Sequence, residues 1–227
     1  KTTKIEKSVG MKKNTDDIRY QLNKLSDKNF DDVFNGIVQI LDSMETYEEV
    51  GNIIFDLASS NRFYSQTYAK LYCDLTNKYE HMKTTMYDNI DIYIGMFNNI
   101  QYVDPNDNYE EFCDMNKANE RRKALSAFLV NMMKNNMITR DEINQFLIIL
   151  LRKFDVFLTV ENKKNEVNEI CENFCILFDS EYNYENNTVK DAMSVNEYLG
   201  TIATTKVSNY KSFTNKTKFK IMDLLNI

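Results

Sequence analysis

Turn-forming residues are nearly missing: the 227 residues include five glycines and a single proline, Pro105. An all-β chain needs many tight turns, and hairpin turns draw on glycine, so this composition argues against that class. Histidine occurs once, at His81, between Glu80 and Met82-Lys83, a setting that reads as surface. A lone histidine leaves no serine or cysteine nucleophile with a credible base, and no glycine-rich phosphate loop is present. Carboxylates abound, but none stands out in an apolar pocket, so no catalytic residue is expected. The four cysteines, Cys73, Cys113, Cys171 and Cys175, do not form the dense framework of a small secreted domain. Cys171 and Cys175 are four apart on one helical face, as some metal ligands are. Zinc would need further Cys or His ligands, so the pair reads as apolar thiols, with no metal and no cofactor expected. Long apolar runs are also lacking. The densest, Phe146 to Leu151, stops at Arg152, Lys153 and Asp155, short of a membrane span, and no signal peptide opens the chain. These absences point to a soluble, reducing compartment, the cytoplasm, or a host's cytoplasm if a virus encodes the chain.

Positive charge is short too. The net charge is −6 and the pI about 5.0, whereas a protein held to nucleic acid by electrostatics alone is normally basic. The lysines gather at the two ends: Lys1, Lys4, Lys7, Lys12 and Lys13, then Lys206, Lys211, Lys216, Lys218 and Lys220. Such clusters are commonly solvated faces, so any RNA contact must use a local patch or a partner.

What the chain does have is bulky apolar residues at helical spacing, 43% of it being hydrophobic. Residues 1–14 are polar and read as a disordered or extended lead-in. Ile18, Leu22 and Leu25 then share one helical face, and Ser26 is positioned to cap a second helix carrying Phe30, Val33, Phe34, Ile37, Ile40, Leu41 and Met44. This helical hairpin is repeated. Thr46-Tyr-Glu-Glu49 has capping-box spacing ahead of Val50, Ile53, Ile54 and Leu57, and the break at Ser59 to Arg62 leads to Tyr68, Leu71, Tyr72 and Leu75. Ile90, Tyr93, Ile94 and Phe97 follow. Asp104-Pro105-Asn-Asp-Asn is the strongest turn signal and opens a polar connection. A helix resumes near Asn116 and ends at Asn135-Asn136.

Thr139-Arg-Asp-Glu142 is a second capping box, ahead of Ile143, Phe146, Leu147, Leu150, Leu151 and Phe154. With Ile148 and Ile149 this helix is apolar nearly all round, which suits burial between neighbours; a strand over 146–151 is the competing reading. Val167, Ile170, Cys171, Phe174, Leu177 and Phe178 form the next stripe, and an Asn-rich loop follows at 183–190. Ser194-Val-Asn-Glu197 is a third capping box, leading to Tyr198, Ile202 and Val207, and the last helix starts near Asn215. About ten helices joined by short loops, paired at roughly 40–47 residues, predict an all-α superhelix of about five HEAT-like pairs, in a single domain over 15–227.

At these residues the chain resembles the middle domain of eukaryotic translation initiation factor 4G. The likeness is carried by Leu22-Asn-Lys-Leu25-Ser with Phe30, by Ile53-Ile-Phe-Asp-Leu57 with Tyr68-Ala-Lys-Leu71, by Arg121-Arg-Lys-Ala-Leu125 with Phe128-Leu129 and Ile138, and by Lys218-Phe219-Lys-Ile221-Met-Asp223. Each motif is weak alone; their order along nearly the whole chain is more specific. The resemblance implies a scaffold that holds the two lobes of a DEAD-box RNA helicase, of the initiation factor 4A type, and stimulates its ATP-dependent activity. It places helicase contacts at Leu22, Leu25 and Phe30 at one end and at Phe219 and Asp223 at the other. The first three also lie on a core-like stripe, so packing is their competing role. An auxiliary RNA surface would fall on Arg121, Arg122, Lys123, Lys218 and Lys220, where a solvated helix face is the alternative. A cap-binding-protein site needs Tyr-x4-Leu followed by an apolar residue; Tyr20 to Leu25 departs from it at Ser26, so that partner would be reached only through segments outside this chain. Two other readings are a relative of the same fold acting in nuclear RNA processing or mRNA decay, and a direct RNA-binding helical repeat.

Overall fold

The computed structural model describes the backbone of residues 4–43 and 47–227 and the side chains of residues 12–43 and 47–227. Ten α-helices occur among the described residues: α1 (Lys4–Asn23), α2 (Phe30–Leu41), α3 (Glu48–Ser60), α4 (Ser65–Lys78), α5 (Met82–Gly95), α6 (Tyr109–Lys134), α7 (Arg140–Thr159), α8 (Lys164–Leu177), α9 (Val195–Thr204) and α10 (Asn215–Leu225). The fold is all-α, a superhelix of about five HEAT-like pairs. α2, α4, α6, α8 and α10 pack on one another in succession. The pairs α1–α2, α3–α4, α7–α8 and α9–α10 are direct neighbours, and every substantial helix contact joins helices no more than three apart in order. The third pair is irregular, because the long α6 lies across α3 and α4. One continuous hydrophobic core runs from Ile18 to Ile221.

The apolar stripes sit where their spacing put them: Val33, Ile37 and Leu41 on α2, Ile53 and Ile54 on α3, and Leu147, Leu150, Leu151 and Phe154 on α7 are all buried. Residues 146–151 are helical, which removes the strand reading. Ile148 is buried but Ile149 and Val156 are exposed, so α7 keeps one face open. The capping boxes at Thr139–Glu142 and Ser194–Glu197 are formed in both directions. The one expected at Thr46–Glu49 lies outside the described residues, as does Met44. α6 ends as Asn135-Asn136 suggested, with Asn136 left-handed at φ 61° and the Met137 N–H reaching back to the Met132 carbonyl. Among the described residues no helix is long and apolar enough to cross a membrane.

Four local expectations are corrected. The helix of the first pair begins at Lys4, inside the segment expected to be disordered or extended; nothing between Lys4 and Ile18 is a proline, and one glycine does not end a helix. Ser26 does not cap α2. Its N–H and hydroxyl both donate to the Asn29 side-chain oxygen, each at 2.8 Å, and the N-cap position belongs to Asn29. α6 starts at Tyr109, seven residues before Asn116, because the Asn108 side chain accepts from the Glu111 N–H and opens the helix there. The Asn-rich loop ends in a small antiparallel hairpin, β1 (Thr188–Lys190) and β2 (Met193–Ser194). Its two-residue turn places Asp191 and Ala192 at φ 48° and 63°, the backbone that a tight hairpin turn requires. Arg152 of α7 holds the hairpin by donating to the Thr188 and Val189 carbonyls.

Candidate partner-binding ends

Phe219 is on the open side of α10. Thr217 and Ile221 point into the core, which at 100° per residue turns Phe219 and Asp223 outward; Phe219 is 59% exposed and Asp223 is exposed. The start of the helix is pinned by Thr214, whose hydroxyl accepts from the Thr217 N–H and bonds Asn168 of α8 at 2.8 Å. Lys218 and Lys220, the neighbours of Phe219, are engaged. Lys218 donates to the Thr205 carbonyl at 2.9 Å, and Lys220 pairs with Glu172. Burial raises the Glu172 carboxyl, but its bond to Lys220 and the charges of Lys220 and Lys216 outweigh that and hold it below the usual carboxylate range.

The other end is built differently from the expectation. Leu22, Leu25 and Phe30 are 0%, 6% and 7% exposed, so their apolar surface is spent inside the first pair and against its neighbours. The Tyr68 hydroxyl donates to the Leu22 carbonyl at 3.2 Å, which locks α4 to the end of α1, and Lys70 Nζ sits 4.0 Å above the Phe30 ring. Side chains at the centre of a packed hairpin cannot serve as contacts without unfolding it.

Exposed instead, on the α3–α4 turn that packs against α6, is an aromatic pair that periodicity missed. Phe63 and Tyr64 occupy a 3₁₀ turn (Arg62–Tyr64) between α3 and α4, 86% and 40% exposed, with ring centroids 5.2 Å apart in edge-to-face contact. The turn is held by Asn61, whose side-chain oxygen accepts from the Phe63 N–H at 3.1 Å. The rings border a groove of about 720 Å³ whose lining includes Ser26, Asp27, Lys28, Thr67, Lys70 and Asn135. Thr67 ties the α1–α2 turn to α4 by donating to Asp27 at 3.0 Å. The sequence signal was available: two aromatics directly after the Ser59–Arg62 break belong to no stripe, so no core claims them.

The basic cluster at 121–123 does not act as a unit. Arg122 is buried, its Nε donating to Glu169 Oε1 at 3.2 Å and its guanidinium also bonded to Asn119, so it cannot reach a phosphate. Glu169 in turn accepts from Asn173 at 3.1 Å; the Asn173 side-chain oxygen bonds Ser126 at 2.8 Å, and Ser126 bonds the Tyr93 hydroxyl at 2.8 Å. This buried polar chain joins α5, α6 and α8. Arg121 faces Asp56 at 3.5 Å and Lys123 faces Glu120 at 2.5 Å. A row of three cations in sequence thus becomes one buried structural pair and two ordinary surface pairs. Cys171 and Cys175 lie 3.9 Å apart on α8, and burial pushes the Cys171 thiol up. Among the described residues no group of three or more His, Cys, Asp or Glu side chains is placed to hold a metal.

No protein-family description, curated protein or solved structure matches this chain.

Proposed function

We propose that this chain is a non-enzymatic scaffold of the initiation factor 4G middle-domain kind, which grips a DEAD-box RNA helicase in the cytoplasm and stimulates its ATP-dependent activity in translation initiation. The ATP chemistry belongs to the partner. The chain contributes a rigid arc, because each pair buries its inner face on the next while the two ends stay available. The observation that carries the reading is Phe219: an aromatic more than half exposed, one turn from a free-facing Asp223, on a helix whose opposite side is fully packed. Exposed aromatics on rigid elements are the usual anchors of protein interfaces. Leu22, Leu25 and Phe30 are buried, and a second exposed aromatic anchor is offered by Phe63, on the α3–α4 turn rather than at the end of the arc. Against a direct RNA-binding role stands the engagement of Arg121, Arg122, Lys123 and Lys220 with carboxylates.

The test mixes the purified chain with candidate DEAD-box helicases and measures RNA-dependent ATPase. Stimulation by the intact chain, reduced about tenfold by Phe219→Ala with an unchanged helical circular-dichroism spectrum, supports the reading. Absence of stimulation with every helicase, or stimulation indifferent to Phe219→Ala, rejects it. Which ATPase is retained in a pull-down separates translation from RNA processing or decay.

A further inference from the structure

We infer that the cavity between α6, α8, the start of α10 and the connection from α5 to α6 is a binding site for a free nucleoside of the uridine type, an uncharged ring whose edge carries one N–H donor between two carbonyl acceptors. The inference goes beyond the scaffold reading and does not depend on it.

Three observations carry it. First, the cavity measures about 290 Å³. That is the small end of ligand pockets, which run from about 300 to 1,000 Å³, so it suits one ring rather than a larger molecule. Ile100, Tyr102 and Met115 supply apolar lining, and the Val103 N–H ties the connection to α6 by donating to the Met115 sulfur at 3.3 Å. Second, three polar side chains of the lining are each held through one atom and left free at the other. Asn119 Oδ1 accepts from Arg122, Asn168 Oδ1 from the Thr214 and Thr217 hydroxyls, and Glu169 Oε1 from Arg122 and Asn173. Asn119 Nδ2, Asn168 Nδ2 and Glu169 Oε2 have no partner among the described residues. They are not sealed off either: among the described residues that are not exposed, Asn144 Nδ2 is the only unbonded side-chain N or O closed to solvent. Glu169 is 7% exposed and lines the cavity, which gives its free oxygen a way out. The lining thus offers two donors and one acceptor, already oriented, and a pre-formed site loses little ordering entropy when filled. Third, the lining has no charge to spare. Glu169 pairs with Arg122 at 3.2 Å, Glu120 with Lys123 at 2.5 Å, and Glu172 with Lys220 and, at 3.8 Å, with Lys216. A charged ligand would be desolvated without a counter-charge, so the ligand is uncharged.

The order of the three groups selects the ring. Glu169 is the common neighbour of the two amides: Arg122 bonds both it and Asn119, and Asn168 precedes it on α8. An acceptor between two donors is the complement of the uracil edge, whose carbonyls take the two Asn amides while the ring N–H donates to Glu169. Cytosine carries an acceptor at that central position and would set it against the carboxylate. A uridine within an RNA strand has the same edge, but the strand's phosphates need free cations, and those of the lining are paired.

The test titrates the full chain with uridine, cytidine, 3-methyluridine and an oligouridylate in the millimolar range, following the side-chain amide signals by proton–nitrogen NMR. Uridine is expected to move the Asn119 and Asn168 amides. Cytidine, and 3-methyluridine with its donor blocked, are expected to bind about tenfold more weakly. Asn119→Asp and Asn168→Asp keep the oxygen that Arg122 or the two threonines hold and turn the free donor into an acceptor. Each should weaken uridine about tenfold at an unchanged thermal midpoint. Where a substitution lowers the midpoint, the ranking of the nucleosides on the parent chain decides alone. The inference is overturned if uridine leaves both amides unmoved, if cytidine or 3-methyluridine binds as well as uridine, if both stable Asp variants bind uridine like the parent, or if the oligouridylate binds more tightly than the nucleoside.

Discussion

Two of the junctions that α8 makes are built of opposite materials. Toward α7 it offers Ile170 and Phe174, and Phe174 meets Phe154 edge-to-face at 5.3 Å. Toward α6 it offers Glu169 and Asn173, which complete the buried chain through Arg122, Ser126 and Tyr93. Both faces are closed to water, so the difference is one of specificity. Apolar surfaces tolerate small slips, whereas a hydrogen-bonded charge pair is satisfied in one register only. The polar junction falls where the repeat is least regular, at the long α6, and there a device that selects one packing has the most to do.

The comparison can be broken most forcefully by removing one partner on each side. Phe154→Ala should cost about 3–5 kcal/mol through lost burial and the cavity left behind. Glu169→Ala should cost about the same for another reason, an unpaired Arg122 in the interior. Urea midpoints measure both, and the mechanisms separate in the double variant Arg122→Met/Glu169→Met. It should return to parental stability or exceed it, while a persistent loss in the double variant would show that the pair stabilises beyond its own desolvation.

A smaller effect lies in the pH dependence. Burial raises the Glu169 carboxyl, and the charge and bond of Arg122 only partly counter this. The folded state therefore holds the proton more tightly than the unfolded chain, whose value is near 4.5. From that pH up to the raised folded value, this group's contribution to stability falls as pH rises. Glu169→Gln should flatten that part of the urea-midpoint curve, and Phe154→Leu should leave its slope alone. The smallest expected change is Thr139→Ala, about 1 kcal/mol for a lost cap. Hydrogen exchange at the first turn of α7 should report it, with the rest of the arc unaffected.

The apolar half of this contrast was legible in the sequence and the polar half was not. Leu147, Leu151 and Phe154 declare their face by spacing alone, and Thr139 with Glu142 announces the helix start. Arg122 reads as solvent-exposed because charged residues are rarely buried without a partner, and its partner is 47 positions away. Asn108 was hidden inside a polar stretch whose turn signal drew the helix boundary too late. Asp191 and Ala192 form a hairpin turn without the glycine that marks such turns. At the two candidate ends, the exposure of Phe219 was legible because it falls off its own helix's inner face. Phe63 was passed over because it sits in a break, where periodicity has nothing to measure, and Leu22, Leu25 and Phe30 looked available only because a first repeat has one uncovered side.

Ser212 is fully buried between the last two helix pairs. Its hydroxyl donates to the Val160 carbonyl at 2.5 Å and accepts from the Lys163 N–H at 2.8 Å, and its own N–H reaches the Leu158 carbonyl at 3.1 Å. One small side chain and its amide thus complete the end of α7 and the approach to α8. A truncation after residue 205 would therefore do more than remove α10: it would leave two carbonyls and an amide of the preceding repeat without their partners.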